Sequence, residues 1–189
     1  HPMPPKPQNV DEGIIRGLYR ISGHDDSDIR LIGSGPIMLQ VEKAAQILAE
    51  MNINCQIWSA TSYCELRREA LESERWNLLH PNDENKTSWV MEHLDDSVPT
   101  TIAVSDNMKA VPDLIRQWVS GDYIVLGTDG FGRSDTREAL RRFFEIDAEH
   151  IVLAALSSMV QSGKLDYSLF EETVEKFSIS MKRNDITEI

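Results

Sequence analysis

The sequence predicts an α/β domain whose sheet is mainly parallel and is covered by helices on both faces. Two observations support this fold class. Short apolar segments typical of strands alternate four times with segments of helical periodicity, and the last part of the chain is helical only. Parallel strands need crossover connections, usually helices, and they are buried on both faces, which makes their sequences apolar. The pattern therefore favours a sheet between two helical layers.

Length and composition agree with a globular protein. The chain has 189 residues, of which 41% are hydrophobic and 26% are charged. This size allows one domain of ordinary to large size, or two small ones, with a substantial buried core. The composition is neither fibrous nor disordered.

Charge and cysteine content exclude several classes of function. With 19 basic and 31 acidic residues the formal net charge is −12, which would repel a phosphate backbone and predicts no nucleic-acid partner. The apolar runs are too short to span a bilayer, so we predict no membrane insertion. Cys55 and Cys64 have neither CxxC spacing nor further cysteines for a disulfide framework or zinc site. We predict two buried thiols in a reducing cytoplasm.

The N-terminal segment differs in composition from the rest. Four of the eight prolines lie within the first seven residues, and the chain begins at His1 rather than Met. Such a segment is typical of a linker. We predict an extended arm over residues 1–12, a domain over residues 13–189, and a chain that is a fragment of a larger protein.

The predicted strands cover residues 17–21, 29–32, 53–58, 100–104 and 123–126. Ser62 has the position of an N-cap for a helix that ends near Ser73, and residues 76–85 resemble a loop. The helical pattern that begins at Asp106 either kinks at Pro112 or begins there. Asp135 and Ser168 are the predicted N-caps of two later helices.

Small polar residues follow the strands, and the most compact group is Gly33, Ser34 and Gly35. Ligands of open α/β sheets bind beyond the carboxyl ends of the strands, where helix N-termini offer N–H groups to anions. These residues could hold a phosphate or a carboxylate. The alternative is a tight turn that caps the next helix without a ligand.

The segment GTDGFGRSD at residues 127–135 is the most informative stretch. Its glycines indicate a sharply bent backbone, and Arg133 could bind a carboxylate. A binding turn would involve four of its side chains, Asp129, Arg133, Ser134 and Asp135. Alternatively, the segment is a structural turn in which Ser134 or Asp135 caps the next helix and Arg133 bridges to a neighbouring domain. Neither the dinucleotide fingerprint nor the Walker loop is present.

No residue pattern indicates an active site. None of the five histidines lies in an HExxH motif, and no GxSxG segment supplies a serine nucleophile. His80 would need converging partners to be catalytic, and the sequence shows none. We therefore assign no catalytic, cofactor-binding or metal-binding residue to this chain.

Several long motifs resemble one known family. The segments GTDGFGRSD (127–135) and ERWNLLHP (74–81), with EGIIRGLYRI near the start and IRLIGSGPI after it, resemble the C-terminal domain of homodimeric bacterial pyruvate dehydrogenases. The resemblance extends over nearly the whole chain. More remotely, the chain is similar to the C-terminal domain of transketolases.

This resemblance implies a three-layer α/β/α domain with a five-stranded, mostly parallel sheet whose first strand, at residues 17–21, is antiparallel. It implies a homodimeric parent enzyme that uses thiamine diphosphate and magnesium to decarboxylate pyruvate and acetylates the lipoyl group of a dihydrolipoyl acetyltransferase. The thiamine-binding GDG…N motif is absent from these 189 residues. The resemblance therefore implies a structural, dimer-supporting domain that packs against the other domains, binds no cofactor and is inactive alone. A second hypothesis is a regulatory or interaction module that binds a small anion at the strand ends.

Overall fold

The computed structural model describes residues 6–180 of the chain. The strands are β1 (Leu18–Ser22), β2 (Ile29–Ser34), β3 (Cys55–Ala60), β4 (Thr100–Ser105) and β5 (Asp122–Leu126). The α-helices are α1 (Asp11–Arg16), α2 (Met38–Glu50), α3 (Tyr63–Leu79), α4 (Trp89–His93), α5 (Arg137–Phe143), α6 (Ala148–Gln161) and α7 (Tyr167–Lys176). Two 3₁₀ helices cover Gly35–Ile37 and Pro112–Trp118.

The five strands form one sheet in the order β1-β3-β2-β4-β5. β1 runs antiparallel to β3, and the other three pairs are parallel. This confirms the predicted fold class, including the antiparallel first strand. The chain moves from β2 to β3 on one side and from β4 to β5 on the other, so the strand order reverses between β2 and β4. That reversal positions the site described below.

Two hydrophobic clusters lie on opposite faces of the sheet. Leu31 and Ile102 belong to the cluster that includes α2 and α6. Their neighbours Ile32 and Ala103 belong to the cluster that includes α3, α4 and the second 3₁₀ helix. Successive side chains of a strand point to opposite faces, so both faces of the central strands are buried. The three-layer arrangement follows from this alternation.

Helix α1 corrects part of the predicted N-terminal arm. The last two residues of that arm, Asp11 and Glu12, are helical rather than extended, and residues 1–5 lie outside the described part. Thr61 holds the helix against the domain, because its hydroxyl donates to the carbonyl of Ile14 at 2.8 Å. The division between an arm and a domain remains a prediction, and the structure places its boundary inside a helix.

Helix α3 is longer than predicted. It continues past Ser73 to Leu79, so the predicted loop is wrong for its first four positions, 76–79. The indole of Trp76 stacks on the His80 ring, with centroids 4.4 Å apart, and the Trp76 carbonyl hydrogen-bonds with Nδ1 of His80 at 2.8 Å. These contacts stabilise the last turn, and Pro81 cannot continue the helix.

The helix starts are only partly as predicted. Ser62 is confirmed as the N-cap of α3, since its hydroxyl accepts the N–H of the third residue of that helix. Asp135 and Ser168 are wrong as N-caps, because Thr136 caps α5 and Asp166 caps α7. Ser, Thr and Asp all have the chemistry of a cap, so the local backbone decides which of them acts. Of the two alternatives at Pro112, the structure shows a 3₁₀ helix that begins there.

Asp147 stabilises the start of α6 through its side chain. Its Oδ1 accepts from the backbone N–H of His150 at 3.0 Å and pairs with Nδ1 of that ring at 2.6 Å, while Oδ2 lies 3.3 Å from Nη1 of Arg142. Burial raises the pKa of this carboxyl, but the bonds from His150 and Arg142 outweigh burial and hold the pKa below its ordinary value. A lowered pKa in the folded state stabilises the fold above the unfolded pKa of about 3.9, and this stabilisation is lost as the pH falls through the folded value.

We therefore expect Asp147→Ala to lower the free energy of unfolding by about 1–2 kcal/mol at neutral pH, as loss of a cap typically does. The difference from the native protein should shrink as the pH falls below about 3.9, where the native carboxylate also becomes protonated. Urea unfolding across this pH range measures both effects. Ser62→Ala is the matched control, because it removes a cap that does not titrate and its effect should not depend on pH. Equal pH dependence of the two variants would contradict the assignment.

No helix between residues 6 and 180 is long and apolar enough to cross a membrane.

Candidate functional site

The carboxyl ends of β2, β4 and β5 meet at one edge of the sheet. Ser34 at the end of β2 is paired with Ser105 at the end of β4, and Val104 is paired with Leu126 of β5. The strand order reverses between β2 and β4, which is where open α/β sheets form their ligand crevice. The predicted site residues lie at the end of β2 or follow β2 and β5, so the structure brings both predicted turns to this edge.

The first predicted turn, residues 33–35, shapes this edge through its backbone, and the Ser34 side chain makes no capping hydrogen bond there. Gly33 lies inside β2, and a Cβ atom there would be 2.4 Å from Sδ of Met38, so this glycine allows α2 to pack closely. Gly35 opens the first 3₁₀ helix with φ of 65°. The next residue, Pro36, has no N–H, and its carbonyl accepts from Nη2 of Arg141 at 3.3 Å. Anion binding by Gly33, Ser34 and Gly35 remains a prediction.

The first half of the 127–135 turn fastens β5 to the loop after β4. The N–H of Thr128 donates to the carbonyl of Asn107 at 2.9 Å, and its hydroxyl donates to the carbonyl of Asp106 at 3.0 Å. Oδ1 of Asp129 accepts from the N–H of Lys109 at 2.9 Å. The Asp129 carboxylate thus serves a structural purpose here.

The second half of the turn leads into α5 and exposes two large side chains. The Phe131 ring is 67% exposed, and the exposed guanidinium of Arg133 lies over the Phe143 ring, with Cζ 4.1 Å from the centroid. Asp135 accepts from the N–H of the next residue at 2.6 Å, and Ser134 is exposed. Of the four side chains predicted in this turn, Arg133 lines a cavity beside α5.

That cavity has a volume of about 470 Å³ and lies between the 127–135 turn, α5 and the carboxyl ends of β2 and β4. Its charged lining consists of Arg133, Arg137, Arg141 and Asp106. We name this set, with the space it encloses, the arginine cavity. Of these four residues, only Arg133 is among the site residues predicted from the sequence. The available signal was the recurrence of arginine at every fourth position from 133 to 141, which places Arg137 and Arg141 on one face of α5.

Arg141 is the least exposed of these arginines. Its side chain is 10% exposed, and Oδ2 of Asp106 lies 4.0 Å from Nη2. Its Nε is buried, and no described residue accepts a hydrogen bond from it. Burial raises the pKa of Asp106 above its ordinary value, although Arg141 and Arg137 act in the opposite direction. The cavity therefore holds a buried cation whose nearest carboxylate is only weakly paired with it.

The remaining candidate groups in the described part of the chain do not assemble into a metal centre. Within residues 6–180, no group of three or more His, Cys, Asp or Glu side chains is placed to hold a metal ion. The predicted burial of both thiols is wrong for Cys64, which is exposed on the first turn of α3, and Cys55 is half-buried. Burial, with a smaller effect of Asp28, raises the pKa of Cys55 to about 12, so this thiol stays protonated at neutral pH.

Comparison with known proteins gives a consistent result. The family described as the transketolase-like C-terminal domain matches residues 17–147. The pyruvate dehydrogenase E1 component of Pseudomonas aeruginosa is 43% identical over 191 residues, which cover 97% of this chain and 22% of that protein. The protein of the same name from Escherichia coli K12 is 39% identical over 181 residues, covering 94% and 20%. The chain thus spans about a fifth of the length of these relatives.

Solved structures with the same fold have much lower sequence identity. A transketolase of Pichia stipitis superposes with a TM-score of 0.56 at 18% identity, covering 82% of this chain and 20% of the other. A transketolase of Leishmania mexicana gives 0.54 at 18% identity, with coverages of 79% and 19%. At this identity the likeness concerns the fold alone.

Proposed function

Because the chain belongs to the transketolase-like C-terminal domain family, we propose that it forms the C-terminal domain of a pyruvate dehydrogenase E1 component. One observation carries the proposal: pyruvate dehydrogenase E1 components from different bacteria are 39–43% identical to it over at least 94% of its length. The transketolases share only the fold at 18% identity, so they support the architecture and not the reaction.

The proposed parent enzyme decarboxylates pyruvate and transfers the acetyl group to the lipoyl group of a dihydrolipoyl acetyltransferase. Thiamine diphosphate, bound with magnesium, would supply the stabilised carbanion on which decarboxylation depends. Residues 6–180 do not fit a magnesium site, because no group of three or more His, Cys, Asp or Glu side chains among them is placed to hold a metal ion. We therefore assign cofactor binding to other parts of the parent and no chemical step to this chain. We place the parent in the cytoplasm.

The proposed role of the domain is architectural. Several large apolar side chains on α1, α3 and α4 are exposed, among them Ile15, Leu71, Leu78 and Met91. Leu71 and Leu78 are two turns apart on α3 and therefore share one face. Since the chain is about a fifth of the length of its relatives, these side chains have a partner available in the remaining domains or in a second subunit. Packing against those domains and supporting a homodimer fits this surface.

The test is reductive acetylation by the complete protein that contains this chain. With pyruvate, thiamine diphosphate and magnesium, we expect it to acetylate a purified lipoyl domain of a dihydrolipoyl acetyltransferase. 2-Oxoglutarate and a ketose phosphate serve as controls that separate this activity from other 2-oxo acid dehydrogenases and from transketolase. Acetylation with pyruvate supports the proposal. Turnover of the ketose phosphate without lipoyl acetylation would show a transketolase instead.

A further inference from the structure

The arginine cavity has the composition of a ligand site that the proposed E1 function does not use. We propose that it binds a small organic dianion, a phosphate monoester or a dicarboxylate, whose oxyanion lies between Arg133 and Arg141. Four features of the cavity support this proposal: the state of Arg141, the charge of the lining, the apolar wall and the place of the cavity in the sheet.

The state of Arg141 indicates a missing anionic partner. A buried guanidinium is costly to desolvate unless charge-assisted hydrogen bonds compensate it. Here Nη2 donates one long bond to the Pro36 carbonyl at 3.3 Å, Oδ2 of Asp106 stays at 4.0 Å, and no described residue accepts from Nε. An oxyanion beside Nη2 would give this cation a shorter, charge-assisted hydrogen bond than the Pro36 carbonyl or Asp106 gives it.

The charge balance of the cavity is opposite to that of the protein. The whole chain carries a formal charge of −12, with 31 acidic against 19 basic residues. The charged lining of the cavity consists of three arginines and one carboxylate, Asp106. In an acidic protein such a concentration of positive charge focuses attraction for anions on one place. Because two guanidinium groups, those of Arg133 and Arg141, line the place proposed for the oxyanion, a dianion matches them better than a monoanion.

The shape of the cavity indicates an organic ligand rather than a bare ion. Its volume of about 470 Å³ falls within the range of small-molecule sites, about 300–1,000 Å³. The wall beside the arginines is apolar and includes Phe131, Leu140 and Phe144. A carbon skeleton can pack against this wall while its oxyanion faces the guanidinium groups. Arg133 is exposed and sits at the end of a turn, so it can reach the ligand from the solvent side.

The position of the cavity is the one at which this fold class forms binding sites. Pro36 follows β2 and Asp106 follows β4, the two strands between which the strand order reverses. In open α/β sheets the crevice at this reversal lies outside the carboxyl ends of the strands and accepts ligands. The sheet therefore supplies the crevice, and α5 supplies the charge.

The experiment is isothermal titration calorimetry on the 189-residue chain with four probes: inorganic phosphate, glycerol 3-phosphate, succinate and acetate. We expect saturable binding of glycerol 3-phosphate or succinate, weaker binding of inorganic phosphate, and the weakest binding of acetate. Glycerol 3-phosphate and succinate distinguish a phosphate ligand from a dicarboxylate ligand.

Arg133→Gln is expected to weaken binding about tenfold, which corresponds to the loss of one charge-assisted hydrogen bond. Asp106→Asn is expected to tighten binding, because it removes the carboxylate that competes for Arg141.

The matched control is Arg68→Gln. Arg68 is also exposed, lies on α3 and pairs with Glu65 and Glu72, away from the cavity lining. Arg133 is exposed, so its variant keeps the fold, and thermal melting of each variant checks this. Absence of saturable binding of any dianion, or equal affinities of the Arg133 and Arg68 variants, would overturn the proposal. A third result would also overturn the proposal: in the complete enzyme, dianions do not bind and Arg133→Gln weakens subunit assembly. The cavity would then receive a carboxylate of a neighbouring domain. Lipoyl acetylation is a separate readout, so failure of the E1 proposal remains distinguishable.

Discussion

Leu31→Ala and Ile32→Ala are each expected to lower the free energy of unfolding by about 2–5 kcal/mol, the range for large-to-small changes in a core. The two residues are neighbours in β2, and both are fully buried. Leu31 packs in the cluster with α2 and α6, whereas Ile32 packs in the cluster with α3 and α4. A comparable loss at two successive strand positions arises only when both faces of a sheet are covered.

Urea unfolding of the two variants measures this expectation. Ile15→Ala is the control, because Ile15 is 78% exposed on α1 and its truncation in the isolated chain removes little buried surface. We expect a change within about 0.5 kcal/mol for that variant. A large loss for one β2 residue with a negligible loss for its neighbour would mean that one face of the sheet is open, against the three-layer fold.

Gly17→Ala is expected to destabilise the chain by about 3 kcal/mol or more, from backbone strain and a steric clash together. Gly17 connects α1 to β1 with φ of 103°, a conformation that favours glycine. A Cβ atom there would lie 2.6 Å from the carbonyl oxygen of Ser62. The carbonyl of Gly17 also accepts the N–H groups of Thr61 and Ser62 at 2.9 and 3.2 Å, so the backbone cannot move away without loss of these bonds.

Gly163→Ala separates the two contributions. Gly163 follows α6 with φ of 71°, but a Cβ atom there meets nothing within 4 Å. This variant carries the strain without the clash, and we expect a loss of about 1–2 kcal/mol. Thermal or urea unfolding of both variants gives the difference. Equal losses would show that α1 is not docked closely at Ser62, and residues 11–16 would then belong to the arm.

The strands of the sheet could be predicted from the sequence, because each has a local pattern of residues typical of a strand. Residues 29–32 are apolar except for Arg30, residues 100–104 combine two threonines with three apolar residues, and the observed β2 and β4 extend these runs by two residues and one residue. The direction of β1 has no such signal, since the composition of residues 17–21 does not indicate whether the strand is parallel or antiparallel to its neighbour. Only the family resemblance indicated that this strand is antiparallel. Helix α1 was missed because six residues next to a proline-rich segment give too short a periodic pattern.

The site was predictable in part, and for a physical reason. The turns at residues 33–35 and 127–135 could be predicted from the local sequence, because positive φ values and close approaches of the backbone require glycine. The arginine cavity depends on contacts between distant parts of the chain: Arg141 meets Pro36, which is 105 residues away. No local pattern reveals that contact. Asp129 and Asp135 looked like ligand groups, yet they accept backbone N–H groups, because carboxylates at turns serve both purposes equally well.

The proposed function is tested most directly by the release of labelled CO₂ from carboxyl-labelled pyruvate, with thiamine diphosphate and magnesium present. The complete protein that contains this chain and the 189-residue chain alone are assayed at equal molar concentration. We predict release by the complete protein and none above the blank by the chain alone, because the chemistry is assigned to other domains. Release by the isolated chain, or none by the complete protein, would contradict the account.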